Sequence, residues 1–337
     1  MGESIKGNNI RRGCLIPLLV FGVLAAPSFS AERKSFILTP DLTIGRDSGD
    51  DNLIFASVER VRLDAEQNIY VADWSSQTRI QVFDPKGGFL RSIPLRPGQG
   101  PAEVSDLMGV AVGPSGTIYV LDRGGNKVML LDRTGKLLSL FKIDFRADDI
   151  GLLPGEQIVL LGVGRGKIIH AFDKDGKPLA SFGDPFEIPV SLSQYKDVPV
   201  LTCPLRFNTG ADGTIYVFNP HRFEVLAFRD GKLRWKVEGR SRLFRPARVR
   251  RTNIEGAVGF GFPLLTALGS GDRLYVTVMR SPKKEGAANE MIIFEKGERV
   301  GSLEVAGLPT AIDSQGRLYC GEETDYPRLV RYVVKEK

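Results

Sequence analysis

Hydrophobic positions after residue 31 fall into short runs separated by turn residues, and one run keeps returning. It reads Asn68-Ile69-Tyr70-Val71, then Gly116-Thr117-Ile118-Tyr119-Val120, Ile158-Val159-Leu160, Gly213-Thr214-Ile215-Tyr216-Val217, Leu274-Tyr275-Val276 and Gly316-Arg317-Leu318-Tyr319-Cys320. These six copies are spaced 49, 40, 57, 59 and 44 residues apart. A strand-rich unit repeated at such intervals predicts a propeller.

Each unit predicts four strands. Upstream of every run lies a short alternating segment, as in Val61/Leu63, Val110/Val112 and Phe207/Thr209, the period of a strand. The residue between each such pair is Arg62, Ala111, Gly151, Asn208, Ala267 or Ala311. Most are small, as suits a strand near the axis, where blades converge and volume is scarce. A third strand follows the run, at 79–84, 127–132 and 168–173 in the first three copies. It ends in Asp84-Pro85-Lys86-Gly87, Asp132-Arg133-Thr134-Gly135 or Asp173-Lys174-Asp175-Gly176, where Asp caps its own turn and Gly takes the positive φ. A fourth strand closes the unit, as at 137–141 and 233–237.

The last copy runs out near Val334 after three strands, and residues 35–38 are free to supply the fourth. Closing the ring in this way covers exposed sheet edges. The expectation is an all-β, six-bladed β-propeller of four-stranded antiparallel blades. It forms one domain over 31–337, with the last blade closed by the N-terminal strand.

Residues 1–30 read as a signal peptide. Lys6, Arg11 and Arg12 form a basic start, 14–26 is apolar, and Ser28-Phe29-Ser30 precedes Ala31 at cleavage spacing. The apolar run is too short to span a bilayer comfortably. Arg11-Arg12 also admits a twin-arginine export reading. The expected location is periplasmic or secreted, with no other membrane segment. Removal of 1–30 leaves 43 basic against 39 acidic residues, a modest net charge of +4. Cys203 and Cys320 remain, and export permits a disulfide; two buried thiols in separate blades are the other reading.

The blade pattern resembles the NHL-repeat group of six-bladed propellers, which includes many exported bacterial proteins. Gly98-Gln99-Gly100-Pro101-Ala102-Glu103 is similar to the Gly-x-Gly-Pro-x-(Glu/Gln) connector of that group. Gly109-Val110-Ala111-Val112 followed by 116–122 is similar to its core pattern. The resemblance covers about residues 35–334, and departs most in blades three and five, which lack an Asp after the run. Such propellers include binding proteins, lyases and hydrolases, so the fold leaves the function open.

Function is expected on the face where blade connections gather. Two connections are long, 183–203 and 240–262, and both flank blade four. The second carries Arg240, Arg242, Arg245, Arg248, Arg250 and Arg251. The guanidinium fork grips carboxylates and phosphates bidentately, so this cluster suits an acidic protein, an anionic glycan or a lipid headgroup. A solvated loop paired with local carboxylates is the plainer reading. Export disfavours nucleic acid as a partner. Trp74, His221 and Tyr326 lie in loops of the same face, suited to stacking on a sugar or side chain, or to lying flat across a blade.

Glu59, Arg60, Asp148, Asp149 and Arg206 stand at the entrances of inner strands, with Asn208 close by. Two readings are open. Glu59, Asp148 and Asn208 supply oxygens to a calcium ion, or the acidic and basic groups pair with each other. His221 is the candidate catalytic base and His170 a structural one; two histidines exclude a multi-histidine zinc site without other ligands. No Gly-x-Ser-x-Gly elbow, P-loop or Cys-x-x-Cys is present. Gly162-Val163-Gly164-Arg165-Gly166 joins two strands and opens no helix, so it is discounted as a phosphate loop.

The leading expectation is a monomeric, non-catalytic binding propeller without a cofactor. Its ligand-facing residues are Arg60, Trp74, Arg206, Arg242, Arg245, Arg248, Arg250, Arg251 and Tyr326. The alternative is a metal-assisted, calcium-type hydrolase or lyase at the mouth of the central channel, resembling the calcium-dependent six-bladed lactonases.

Overall fold

The recurring Ile-Tyr-Val run is hydrophobic at consecutive positions because it is the second strand of each blade, covered on both faces. Its Ile and Val pack against the preceding blade and its Tyr against the next. Ile69 and Val71 join the apolar cluster shared with blade six, whereas Tyr70 joins the one shared with blade two. Ile118 and Val120 face back to blade one, and Tyr119 faces forward to blade three. The same division holds for Ile215 and Val217 against Tyr216, and for Leu318 and Cys320 against Tyr319.

The computed structural model describes residues 34–74, 78–251, 258–280, 288–323 and 325–337. The expected signal peptide at 1–30 lies outside them. Six four-stranded antiparallel sheets form the blades. Blade one is Arg60–Leu63, Ile69–Asp73, Arg79–Phe83 and Phe89–Pro94, counted from the axis outward. The inner strands of blades two to six are Leu107–Val112, Asp149–Leu153, Phe207–Thr209, Leu265–Ser270 and Leu308–Ile312. Each inner strand contacts the next, and the sixth contacts the first, so the ring closes.

Closure uses the N-terminus as expected, with a longer strand. Phe36–Ile44 pairs antiparallel with Pro327–Glu336 and becomes the outer strand of blade six. Pairing runs past residue 38 because a register shift at Pro40/Leu42 absorbs the proline, which has no N–H for the ladder. Arg331 then clasps Asp41 at 2.8 and 3.2 Å.

Six apolar clusters, one at each blade-to-blade seam, replace a single core. This is how a domain of this length stays packed without one oversized interior. The turn aspartates act as caps: Asp84, Asp132 and Asp173 each accept two backbone N–H groups of their own turn. Asp73 and Asp122 do a second job. Asp73 accepts the N–H groups of Ala56 and Ser57, and Asp122 those of Ser105 and Asp106, pinning the incoming connection to the blade. Cys203 and Cys320 are free and buried, in different seams. Among the described residues, no helix is long and apolar enough to cross a membrane.

Candidate functional site

All six inner strands start at the face where blade connections arrive, here the upper face, and end in tight turns at the lower face. The upper end of the channel is closed by charge. Arg60 reaches from blade one to Asp149 of blade three at 2.7 Å, and the two side chains are 1% and 0% exposed. Asp149 also accepts the N–H groups of Ile150 and Phe207, each at 3.0 Å. A second bridge crosses the same end, Arg206 of blade four to Glu59 of blade one at 3.0 Å. Burial draws the Arg60 pKa downward, with Asp149 opposing and Arg206 and Arg62 adding repulsion. A guanidinium stays charged through such a shift.

These pairs decide between the two readings of the strand entrances. The structure does not assemble Glu59, Asp148 and Asn208 as a ligand set. Glu59 is taken by Arg206, and Asp148 is held by Arg123 and Arg146, each at 3.2 Å. Asn208 sits further down its strand and lines the lower cavity. Among the described residues, no group of three or more His, Cys, Asp or Glu could hold a metal. The physical reason is abundance of arginine: each carboxylate at the channel mouth has a cation closer than any shared centre.

His221 does not stand at that mouth either. Its Nε2 donates to the Leu201 carbonyl at 2.7 Å, and its backbone N–H bonds to Asn219 Oδ1 at 2.9 Å. Its Nδ1 is buried without a partner among the described residues, and burial lowers its pKa, offset by the Leu201 bond. An imidazole tied in this way braces a loop and offers no exposed nitrogen to a substrate, which corrects its expected role as a base. His170 is structural as expected, bonded to Ser181 and the Gly162 carbonyl.

The loop His221 braces is one of the two long connections, and they support each other. Leu192 and Leu201 from the first share an apolar cluster with Ala247 from the second, flanked by Tyr195 and Phe260. Those two rings meet edge to face at 5.2 Å. On this base the second connection folds into a hairpin, Arg248–Arg251 paired with Val258–Gly261. Arg248 and Arg250 alternate with Val249, so they share one side of the strand, and both are exposed. Arg248 faces Gly261 and Arg250 faces Gly259 across the pair.

Other arginines of this connection bond within the protein. Arg242 pairs with Glu304. Arg245 donates to the carbonyls of Arg242 and Phe244. The Arg251 side chain lies outside the described residues. Trp74 packs against the seam between blades one and two, with its indole N–H buried and without a hydrogen-bond partner among the described residues. Tyr326 is half-buried under the Arg328 guanidinium, 5.6 Å from its ring centre. Both aromatics therefore take the flat, packed option.

The lower end of the channel is open where the upper end is shut. A cavity of about 910 Å³ is lined by the ends of all six inner strands and their turns. Its walls include Ala111, Gly151 and Ala311, the small residues expected at the axis. The exceptions in that row, Arg62 and Asn208, also line it. Sequence reasoning placed function on the upper face and passed over this cavity. The signal was present as two large polar residues in a row of alanine and glycine.

Comparison with known proteins agrees with the fold. Residues 48–160 match a family described as a 6-bladed beta-propeller, DUF5128. A member of the DUF4221 family from Bacteroides vulgatus is similar in structure, with a TM-score of 0.61 at 11% identity, covering 91% of this chain and 100% of that one. A Bacteroides fragilis protein assigned as exported gives a TM-score of 0.57 at 10% identity, covering 90% and 95%. Among curated proteins, none matches. At such identities the likeness establishes the six-bladed propeller fold and nothing about its ligand.

Proposed function

We propose that this chain is an exported, non-catalytic propeller of the NHL type that binds an anionic polysaccharide on its upper face. The observation that carries this is the arginine-bearing hairpin, raised on its own small apolar base beside blade four. Arg248 and Arg250 are exposed on one side of it. Among the described residues, no carboxylate lies within ion-pairing distance of Arg248. A rigid support lowers the ordering cost of binding, and exposed guanidinium forks suit carboxylate- and sulfate-bearing sugars.

Retention on a heparin column tests this. The wild-type protein should elute at markedly higher salt than the Arg248→Ala/Arg250→Ala variant, because removing two guanidinium groups weakens an attraction that salt screens. Both should melt within about 2 °C of each other, since exposed charges contribute little to stability. Equal elution sinks the polysaccharide reading. Capture of an acidic protein in place of the polymer redirects it to a protein partner.

The paired state of Glu59 and Asp148 supports a reading without a metal cofactor. Calcium and EDTA should then leave the melting temperature unchanged, whereas a native-state metal site must raise it with ligand concentration. A calcium-dependent rise of several degrees overturns this part of the proposal.

A further inference from the structure

The open end of the channel holds a cation with no direct ion pair among the described residues. Arg62 Nη1 donates to the carbonyls of Val61 and Thr310 at 2.9 and 3.1 Å. Its other N–H groups have no protein partner among the described residues, and no carboxylate there lies within ion-pairing distance of it. Asp149 is already engaged by Arg60 and two backbone N–H groups, and Glu59 by Arg206. Both of those carboxylates are thus paired with another arginine, and Arg62 is the arginine that lines the cavity.

Ring order places a polar partner opposite. Blades one and four are diametrically related in a closed ring of six, so Arg62 and Asn208 stand on facing walls. The Asn208 side chain has no hydrogen-bond partner among the described residues, although it is only 7% exposed. Most of the remaining wall is apolar, including Ile150, Leu152 and Leu268. A concave, largely apolar space with a few convergent polar groups is the general form of a small-molecule site.

The mouth narrows the ligand class. Asp64, Asp212 and Asp313 line it. Asp212 is ion-paired with Arg229 at 3.2 Å and Asp313 with Arg317 at 2.6 Å, whereas Asp64 is hydrogen-bonded to Asn68 and Tyr70 and has no ion pair among the described residues. The charge of Asp64 disfavours a multiply charged anion such as phosphate and tolerates a single carboxylate.

We propose that the channel cavity binds a small molecule bearing one carboxylate on an apolar body, with Arg62 gripping the carboxylate and Asn208 supplying a hydrogen bond from the facing wall. The apolar body lies along the aliphatic wall.

Isothermal titration of the purified full chain tests this, with hexanoate and benzoate as probes against hexanamide, benzamide and inorganic phosphate. At least one carboxylate should bind saturably, its amide at least about tenfold more weakly, and phosphate not at all, following the charge-assisted grip. Arg62→Met should weaken carboxylate binding at least about tenfold. Because Arg62 also ties two blades through carbonyls, Asn208→Leu is measured beside it; this variant leaves that seam intact and should weaken binding too. Absence of saturable carboxylate binding to the wild type overturns the proposal, as does equal affinity for the amides. Undiminished affinity in Arg62→Met does so as well. If that variant does not fold, unchanged binding in Asn208→Leu together with carboxylate–amide parity is the overturning result.

Discussion

Tyr119→Ala should destabilise the protein by about 3–5 kcal/mol, the range for deleting a large buried ring. Tyr119 is 1% exposed. Its ring is a member of the seam between blades two and three, with Ile150, Ile158, Leu160 and Phe172 from the neighbour. Its hydroxyl donates to Glu156 Oε2 at 3.2 Å, another residue of blade three. Truncation therefore opens a cavity at a seam, and a ring of blades has no second interface between those two neighbours to compensate. Tyr119→Phe keeps the ring and loses the hydroxyl bond, so it should cost about 1 kcal/mol. Urea unfolding of the three proteins separates the terms. A loss below about 1 kcal/mol for the alanine variant would show that the seam closes over the gap, against the usual cost of a core cavity.

Arg60→Met should cost about 3 kcal/mol, the lower end of the range for breaking a buried ion pair. The substitution keeps most of the aliphatic volume and leaves Asp149 wholly buried without its ion-pair partner, hydrogen-bonded by the Ile150 and Phe207 N–H groups. The low end is expected because Arg60 Nε and Nη1 are themselves buried without partners among the described residues, and their removal relieves that penalty. Arg60→Met/Asp149→Asn should recover part of the loss, since it removes the stranded charge, although the amide oxygen keeps only one of the two backbone bonds and its NH2 group replaces the other acceptor. The double-mutant cycle measures this coupling directly. A neutral single variant, or a double variant no better than the single, would mean the pair does not hold the upper end of the channel together.

The strand run was legible because its chemistry is local. Ile-Tyr-Val suits a strand, Asp and Gly suit the turns, and their repetition implies stacking. The division of labour within the run was not legible. Ile118 and Val120 face one neighbour and Tyr119 the other, which depends on the direction in which blades follow around the axis. The charged strand entrances were legible as a group, since Glu59, Arg60, Asp148, Asp149 and Arg206 lie nine or ten positions before the run. Which carboxylate takes which cation was not, because Arg60 and Asp149 are brought together across the ring from 89 positions apart. His221 looked like an available base in a loop. It became a strut because Leu201, on the other long connection, places a carbonyl at its Nε2.

The sequence by itself determined the repeat, the strand order within each blade, the number of blades and the use of the N-terminal strand to close the ring. All four follow from hydrophobic period and turn chemistry, which act over a few residues. Tertiary structure alone decided that the upper channel end is sealed by ion pairs, that two long connections share one apolar base, and that the lower end opens around Arg62 and Asn208. Those outcomes depend on which side chains meet across the ring, where charges from distant blades share a small volume and the nearest opposite charge wins.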